Sequence, residues 1–284
     1  MMKKRLHLLV LTCVFLLFSP FAVACSNTNT NYVPALPPEL NLPDDEDNDD
    51  VFNGNTEETD EETNGSSPPD VYATYIRAKV NGLNLRESPS ASGNVVGYIN
   101  NKDMVTYLAK ENGWYKTLYK GKTAYISASS SYTELYQMQK SDSEKVENVI
   151  NVGAKFLGTK YVYGATRLHN GKGVFLSGFK DTAFDCSSFV QYAFYYGANV
   201  NLNLTTRTQV SQGKAVYGKE NLRRGDLMFF TNASRYYNTG VERIGHVAIY
   251  LGDNYILHTA SDYAVIEPIS TTRWNYLLDI KRHV

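Results

Sequence analysis

The sequence predicts an α+β protein, in which a small all-β unit is followed by a larger unit that combines helices with an antiparallel sheet. Three observations predict it. Between residues 72 and 130, short β-rich runs recur at regular spacing, separated by turn residues. From residue 131 onward, segments of helical periodicity come first and strand-like segments follow, which is the order of an α+β unit rather than of alternating βαβ units. Ahead of both, residues 26–70 hold 13 acidic and no basic residues and few large apolar groups, so they cannot offset chain entropy by burial and are expected to be disordered.

The chain has 284 residues, room for one to three domains, and a net charge of −1. That charge conceals a division. Residues 71–284 carry 25 basic and 16 acidic side chains, a net of +9. A positive folded part suits an anionic polymer surface such as a bacterial wall, and it equally aids solubility.

Residues 1–24 have the form of an export signal, with Lys3-Lys4-Arg5 as the basic head and Leu6 to Phe21 as the apolar core. The core is too short and too punctuated for a comfortable membrane span. It ends in Ala22-Val23-Ala24-Cys25. Ala-Val-Ala suits ordinary signal cleavage before Cys25. Small residues followed at once by cysteine also resemble a bacterial lipobox, in which Cys25 is lipidated, although Ala22 stands where that pattern prefers leucine. The tether-like composition of residues 25–71 favours lipidation. The protein is therefore expected to be exported and held at the cell envelope by a lipid on Cys25. The acidic run Asp44 to Asp50 lacks the glycine at the sixth position of a calcium loop and reads as a solvated tail.

Residues 72–135 are the all-β unit. Leu83-Asn84-Leu85-Arg86, Val95–Ile99, Met104–Leu108, Trp114–Leu118 and Thr123–Ile126 are its strands, and Asn-Lys-Asp, Glu-Asn-Gly and Lys-Gly-Lys its turns.

Residues 136–284 are the second unit. Ser141-x-x-Glu144 is a capping box for a helix whose apolar face is Val146, Val149, Ile150, Ala154 and Leu157, with Gly158 as its stop. Tyr161–Ala165 is a short extended piece, and a loop rich in Gly and Lys runs from Thr166 to Ala183. A second helix opens at Cys186, with Phe189, Val190, Ala193 and Phe194 at helical spacing and Gly197 as its stop. Arg207 is expected to anchor a turn or face solvent. Leu222 to Phe230 reads as a turn feeding a buried strand. Ile244–Leu251 and Tyr255–Thr259 are strands around Gly252-Asp253-Asn254.

Cysteine usage points to chemistry. Cys13 leaves with the signal, and Cys186 is the single thiol of the folded part. An exported protein that keeps one unpaired cysteine has no disulfide to justify it. A thiol at a helix N-terminus is expected to be shifted toward thiolate by the dipole and the unpaired N–H groups. The alternative is a buried cysteine acting as a small hydrophobe. With a loop centred on Gly252, His246 and His258 stand directly opposite each other on one sheet face. Nucleophile, base and orienting group are then together. Cys186, His246 and His258 could also bind zinc, but the usual Cys-x-x-Cys or His-Glu-x-x-His clusters are absent, and no metal or cofactor is expected.

Leu83-Asn84-Leu85-Arg86-x-x-Pro89, Trp114 and Tyr125-Ile126 resemble a bacterial SH3-like barrel over about sixty residues. Asp185-Cys186-Ser187-Ser188-Phe189-Val190, Arg224-Gly225-Asp226-Leu227-x-Phe229-Phe230, Gly245-His246-Val247-Ala248-Ile249-Tyr250-Leu251-Gly252 and His258 resemble the NlpC-type, papain-like cell-wall cysteine peptidases. The resemblance implies a papain-like catalytic domain that hydrolyses amide bonds in peptidoglycan stem peptides, between γ-D-glutamate and a diamino acid. It implies Cys186 as nucleophile, His246 as base, His258 as polar third member, and Tyr161 as an oxyanion-hole hydroxyl beside the Cys186 backbone N–H. Asp185 and Ser187 would hold the free amine of the stem peptide's L-alanine, with the SH3-like domain closing that end. Ser188 and Ala165 replace family glycines, and the Thr166–Ala183 loop is longer than usual, which bears on substrate choice. The expected partners are peptidoglycan or muropeptides and, through the lipid, a membrane. No nucleic-acid partner is expected, and the protein is expected to be a monomer. The rival readings are an acyltransferase or another amidase on the same Cys–His fold, and a non-catalytic wall-binding lipoprotein, against which the intact Cys186, His246 and His258 count.

Overall fold

The computed structural model describes residues 71–259 and 262–284. The expected signal, Cys25 and the tether up to residue 70 lie outside the described residues. Among those described, no helix is long and apolar enough to cross a membrane.

The first unit contains β1 (Tyr72–Ala78), β2 (Leu83–Arg86), β3 (Val95–Ile99), β4 (Met104–Thr106), β5 (Ala109–Glu111), β6 (Trp114–Tyr119), β7 (Lys122–Ser127) and β8 (Thr133–Gln139). Alternation places Leu85, Ile99, Tyr115, Ala124 and Ile126 inside and polar residues outside. β3-β2-β7-β6-β5 form one sheet. β8 pairs with β1 from Thr133 to Gln139, so the all-β unit extends to Gln139 and the expected boundary at residue 135 falls inside a strand.

The second unit is α+β with an antiparallel sheet, as its pattern predicts. It contains α1 (Glu144–Ala154), β9 (Lys160–Tyr161), β10 (Ala183–Phe184), α2 (Cys186–Ala198), α3 (Thr206–Gln209), β11 (Lys214–Ala215), β12 (Leu227–Phe230), β13 (His246–Gly252), β14 (Tyr255–Thr259), β15 (Ala264–Pro268), α4 (Thr271–Asn275) and β16 (Leu277–Arg282). Its sheet runs β11-β16-β12-β13-β14-β15 and continues into β4-β1-β8 of the first unit through the Ile266–Met104 pair. One face buries Leu227, Phe229, Val247, Ile249 and Leu257 in the main core with α1 and α2. The other buries Met228, Phe230, Ala248 and Ile256 in a smaller core beside Trp274 and Tyr276. Burial of each large apolar side chain contributes roughly 1.5–3 kcal/mol.

Four local expectations are corrected. The N-cap of α1 is Ser143, whose side chain makes no capping bond. Glu147, not Glu144, reaches back, and its Oε1 receives the Ser141 N–H at 2.8 Å. The helix ends at Ala154, and the chain then turns through Gly158, whose φ of +80° and close approach to the Tyr119 ring both require glycine. Gly197 does not stop α2. The helix runs to Ala198 and ends on Asn199 in the left-handed region, while a Cβ on Gly197 would lie 2.4 Å from the Val149 backbone. Gly197 is thus the point of close α1–α2 contact. Finally, Asp253 and Asn254 both have positive φ and form the hairpin turn, with a bulge at Leu251. The pairing of Ile249 with Leu257 and of Tyr250 with Ile256 sets His258 opposite Ala248. His246 and His258 are therefore diagonal neighbours on one face rather than directly opposite.

Arg224 ties the two units together. Its guanidinium meets Glu147 at 2.7 and 2.9 Å, the Leu251 carbonyl at 2.7 Å and the Tyr75 hydroxyl at 2.9 Å. Asp226 accepts the Arg223 N–H and two bonds from Arg282. This motif is scaffold.

Candidate active site

α2 begins where Asp185 can cap it. Asp185 Oδ1 receives the Ser188 backbone N–H at 2.8 Å, and Ser188 Oγ receives the Asp185 N–H at 2.9 Å. The reciprocal box fixes the turn and sets Cys186 at the first helical position. The Cys186 sulfur is met by the backbone N–H of Val247, the residue after His246, and by that of Ser187.

The thiol's environment corrects the expectation of a lowered pKa. Cys186 is 7% exposed. Burial, and then the Asp185 carboxylate, push the thiol up to about 12, outweighing the two N–H groups and Arg167. Burial first, then His258 and Arg273, holds His246 well below the ordinary histidine value. Both shifts favour the uncharged forms, the thiol of Cys186 and the imidazole of His246.

A relay orders the imidazole. His246 Nε2 lies 2.8 Å from His258 Nδ1, and His258 Nε2 lies 2.9 Å from Glu267 Oε1, which also receives Arg273 at 3.0 Å. Burial raises the Glu267 carboxyl, but His258 and Arg273 together outweigh it and hold the group below its usual value. An ionised carboxylate only accepts. His258 must therefore carry its proton on Nε2 and accept on Nδ1. His246 in turn carries its proton on Nε2, which leaves its Nδ1 lone pair free.

Tyr161, His246, Thr259, Arg273 and Tyr276 line a cleft of about 520 Å³. Burial, and then the neighbouring Cys186 and Asp185, push the Tyr161 hydroxyl up to about 12, so it remains a donor. Arg207 pairs with Glu242 at 3.4 Å on the surface. His169 is buried in the long loop, where its Nδ1 accepts the Gly171 N–H.

Asp185 and Ser187 are engaged within the chain. Arg167 Nη2 reaches Asp185 Oδ2 at 2.7 Å and Ser187 Oγ at 2.8 Å, and Ser187 Oγ donates to Asp185 Oδ1 at 3.0 Å. Neither Glu267 nor Arg167 was singled out by sequence reasoning. A Glu on the strand after His258, diagonal to it across the β14–β15 register, was the available signal for the first. Arg167 stands in a loop and has no periodicity to reveal it.

A helix-borne thiol beside an ordered His–His–Glu relay, on an α+β scaffold, defines a class of domain suited to nucleophilic cysteine chemistry. The comparisons place it more closely. Residues 81–134 match the bacterial SH3 domain and residues 158–282 the NlpC/P60 family, so the SH3 match precedes the NlpC/P60 match along the chain. It is 33% identical to the peptidoglycan DL-endopeptidase CwlO of Bacillus licheniformis, over 47% of this chain and 27% of that one. It is 29% identical to the gamma-D-glutamyl-L-lysine dipeptidyl-peptidase of Bacillus subtilis, over 60% and 49%. It is 36% identical to the murein DD-endopeptidase MepS/murein LD-carboxypeptidase of Escherichia coli, over 35% and 51%. The chain thus spans about half or less of the length of these curated relatives.

Proposed function

We propose that the protein is a peptidoglycan hydrolase that cleaves the amide bond between γ-D-glutamate and the diamino acid of wall stem peptides. The observation that carries the reading is the relay from Glu267 through His258, which leaves a lone pair on His246 Nδ1 beside the Cys186 element. Cys186 Sγ attacks the scissile carbonyl carbon while His246 Nδ1 takes the thiol proton. The Tyr161 hydroxyl and the Cys186 backbone N–H receive the developing oxyanion. Collapse expels the amine, which takes the proton from His246 and leaves an acyl-thioester. Water, deprotonated by His246, then releases the acid and restores the thiol. The names of the related proteins support a wall peptide as substrate. In the same reading the protein is exported, lipid-anchored through Cys25, and acts as a monomer on peptidoglycan or muropeptides.

Mass spectrometry of defined muropeptides incubated with the full chain, beside Cys186→Ala, tests it. Cleavage at the γ-D-glutamyl bond by the wild type alone is the expected result. Release of fragments cut at another bond would overturn the assignment of the bond. No cleavage, with Cys186 still open to alkylation, would move the reading to acyl transfer.

A further inference from the structure

We propose that Arg167 is a specificity-determining residue that fills the place of a substrate ammonium beside Asp185, so that the enzyme acts on stem peptides whose alanine nitrogen is acylated. The inference rests on the reading of the chain as a stem-peptide hydrolase. A dipeptidyl-peptidase, the activity named for one relative, removes two residues from a free amino end and needs an anion to hold that charge near the nucleophile. Here the carboxylate adjoining Cys186 is Asp185, and it is already neutralised.

Arg167 is held from several sides. Its Nη2 bonds Asp185 and Ser187, its Nε donates to the Leu204 carbonyl at 2.7 Å, and its Nη1 donates to the Ala165 carbonyl. The side chains of the ion pair are 16% and 6% exposed. A guanidinium fixed by carbonyls on two segments and by a buried carboxylate does not swing away at small cost, because the Asp185 charge would be left buried and unpaired. An arriving ammonium would meet a like charge within a few ångströms of Asp185. Asp185 is also committed to the helix cap and to the Ser187 hydroxyl, so it cannot turn toward substrate without loosening the turn that carries Cys186. The long loop contributes more than length, since Leu168, His169 and Phe179 are buried beneath it and fix the segment that presents Arg167. An acylated, uncharged alanine nitrogen meets none of these costs. Such peptides are what an uncut wall presents, so the enzyme would act endolytically.

The test compares L-alanyl-γ-D-glutamyl-L-lysine with its N-acetyl counterpart, and the same pair built on meso-diaminopimelate, for the wild-type full chain and for Arg167→Ala and Arg167→Lys. The wild type is expected to cleave the acetylated peptide with kcat/KM within about threefold of the free-amine peptide, or better. Arg167→Ala uncovers Asp185 and is expected to shift that ratio toward the free amine by roughly tenfold to a hundredfold, the worth of one charge-assisted hydrogen bond. Arg167→Lys keeps a cation in place and is expected to keep the wild-type ratio. A wild-type preference of about tenfold or more for the free amine overturns the proposal without any variant. So does an unchanged ratio in folded Arg167→Ala. Should that variant not fold, Arg167→Gln carries the same comparison. Cleavage of neither peptide overturns the underlying hydrolase reading, a result distinct from cleavage with the wrong preference.

Discussion

Replacing Glu267 by Gln probes the relay at its far end. Glutamine keeps the shape and an acceptor oxygen for His258 and Arg273, so the tautomers are preserved and only the charge is lost. In the proposed mechanism the carboxylate supports the imidazolium that forms when His246 accepts the thiol proton, acting through two hydrogen bonds of 2.8 and 2.9 Å. A hydrogen bond to a charged group is worth about 1.5–3 kcal/mol and a neutral one about 0.5–1.5 kcal/mol, so the change costs roughly 1–2 kcal/mol of transition-state stabilisation. That corresponds to a fall of about 5- to 30-fold in kcat/KM. The sign of the pH effect follows. Removing a negative charge disfavours the protonated imidazole and leaves Arg273 uncompensated, so the His246 pKa, already low, falls further. The acid limb of the rate profile should move to lower pH while the plateau drops. The assay is the pH dependence of Cys186 alkylation by iodoacetamide, which does not depend on substrate identity, followed by the profile for muropeptide cleavage. A plateau within about twofold of the wild type and an unmoved acid limb would refute the relay argument. A lower plateau with an unmoved limb would assign Glu267 a packing role only.

Three other outcomes are expected. With Cys186 raised to about 12 and His246 held neutral, ultraviolet titration of the wild type should show little thiolate between about pH 6 and 9, and a full thiolate signal at neutral pH would contradict the neutral resting pair. Tyr161→Phe removes a protonated hydroxyl from the cleft and should lower kcat by about 10²- to 10³-fold with little change in KM, whereas a loss confined to KM would make Tyr161 a binding residue. Arg224→Met leaves the 13%-exposed Glu147 side chain without its partner and frees the Tyr75 and Leu251 contacts. Equilibrium denaturation should record a loss of about 3–5 kcal/mol, and a loss under about 1 kcal/mol would show that the Arg224 contacts contribute little to stability.

Local pattern carried the identity of most elements. Alternation marked the strands of the first unit, and helical spacing marked α1 and α2, because side chains three and four apart share a helix face and those two apart share a strand face. It also singled out Cys186 as the candidate nucleophile, since a lone cysteine at the start of an apolar helix is a local feature of residues 186–194. That both histidines share a sheet face followed from the even separation of the strands about their turn. Whether they stood opposite or diagonal did not, because the Leu251 bulge and the left-handed Asp253-Asn254 turn shift the register by two without changing the face. Gly197 read as a helix stop since glycine often ends helices, but its function lies in a contact with Val149 on another helix. What only the tertiary structure decided is electrostatic. The Cys186 pKa depends on how deeply α2 is covered, the nitrogen of His246 that keeps its lone pair on a carboxylate two strands away, and the pairing of Asp185 on a guanidinium from a loop 18 residues earlier. Charges act through space and burial rather than along the chain, so no spacing in the sequence encodes them.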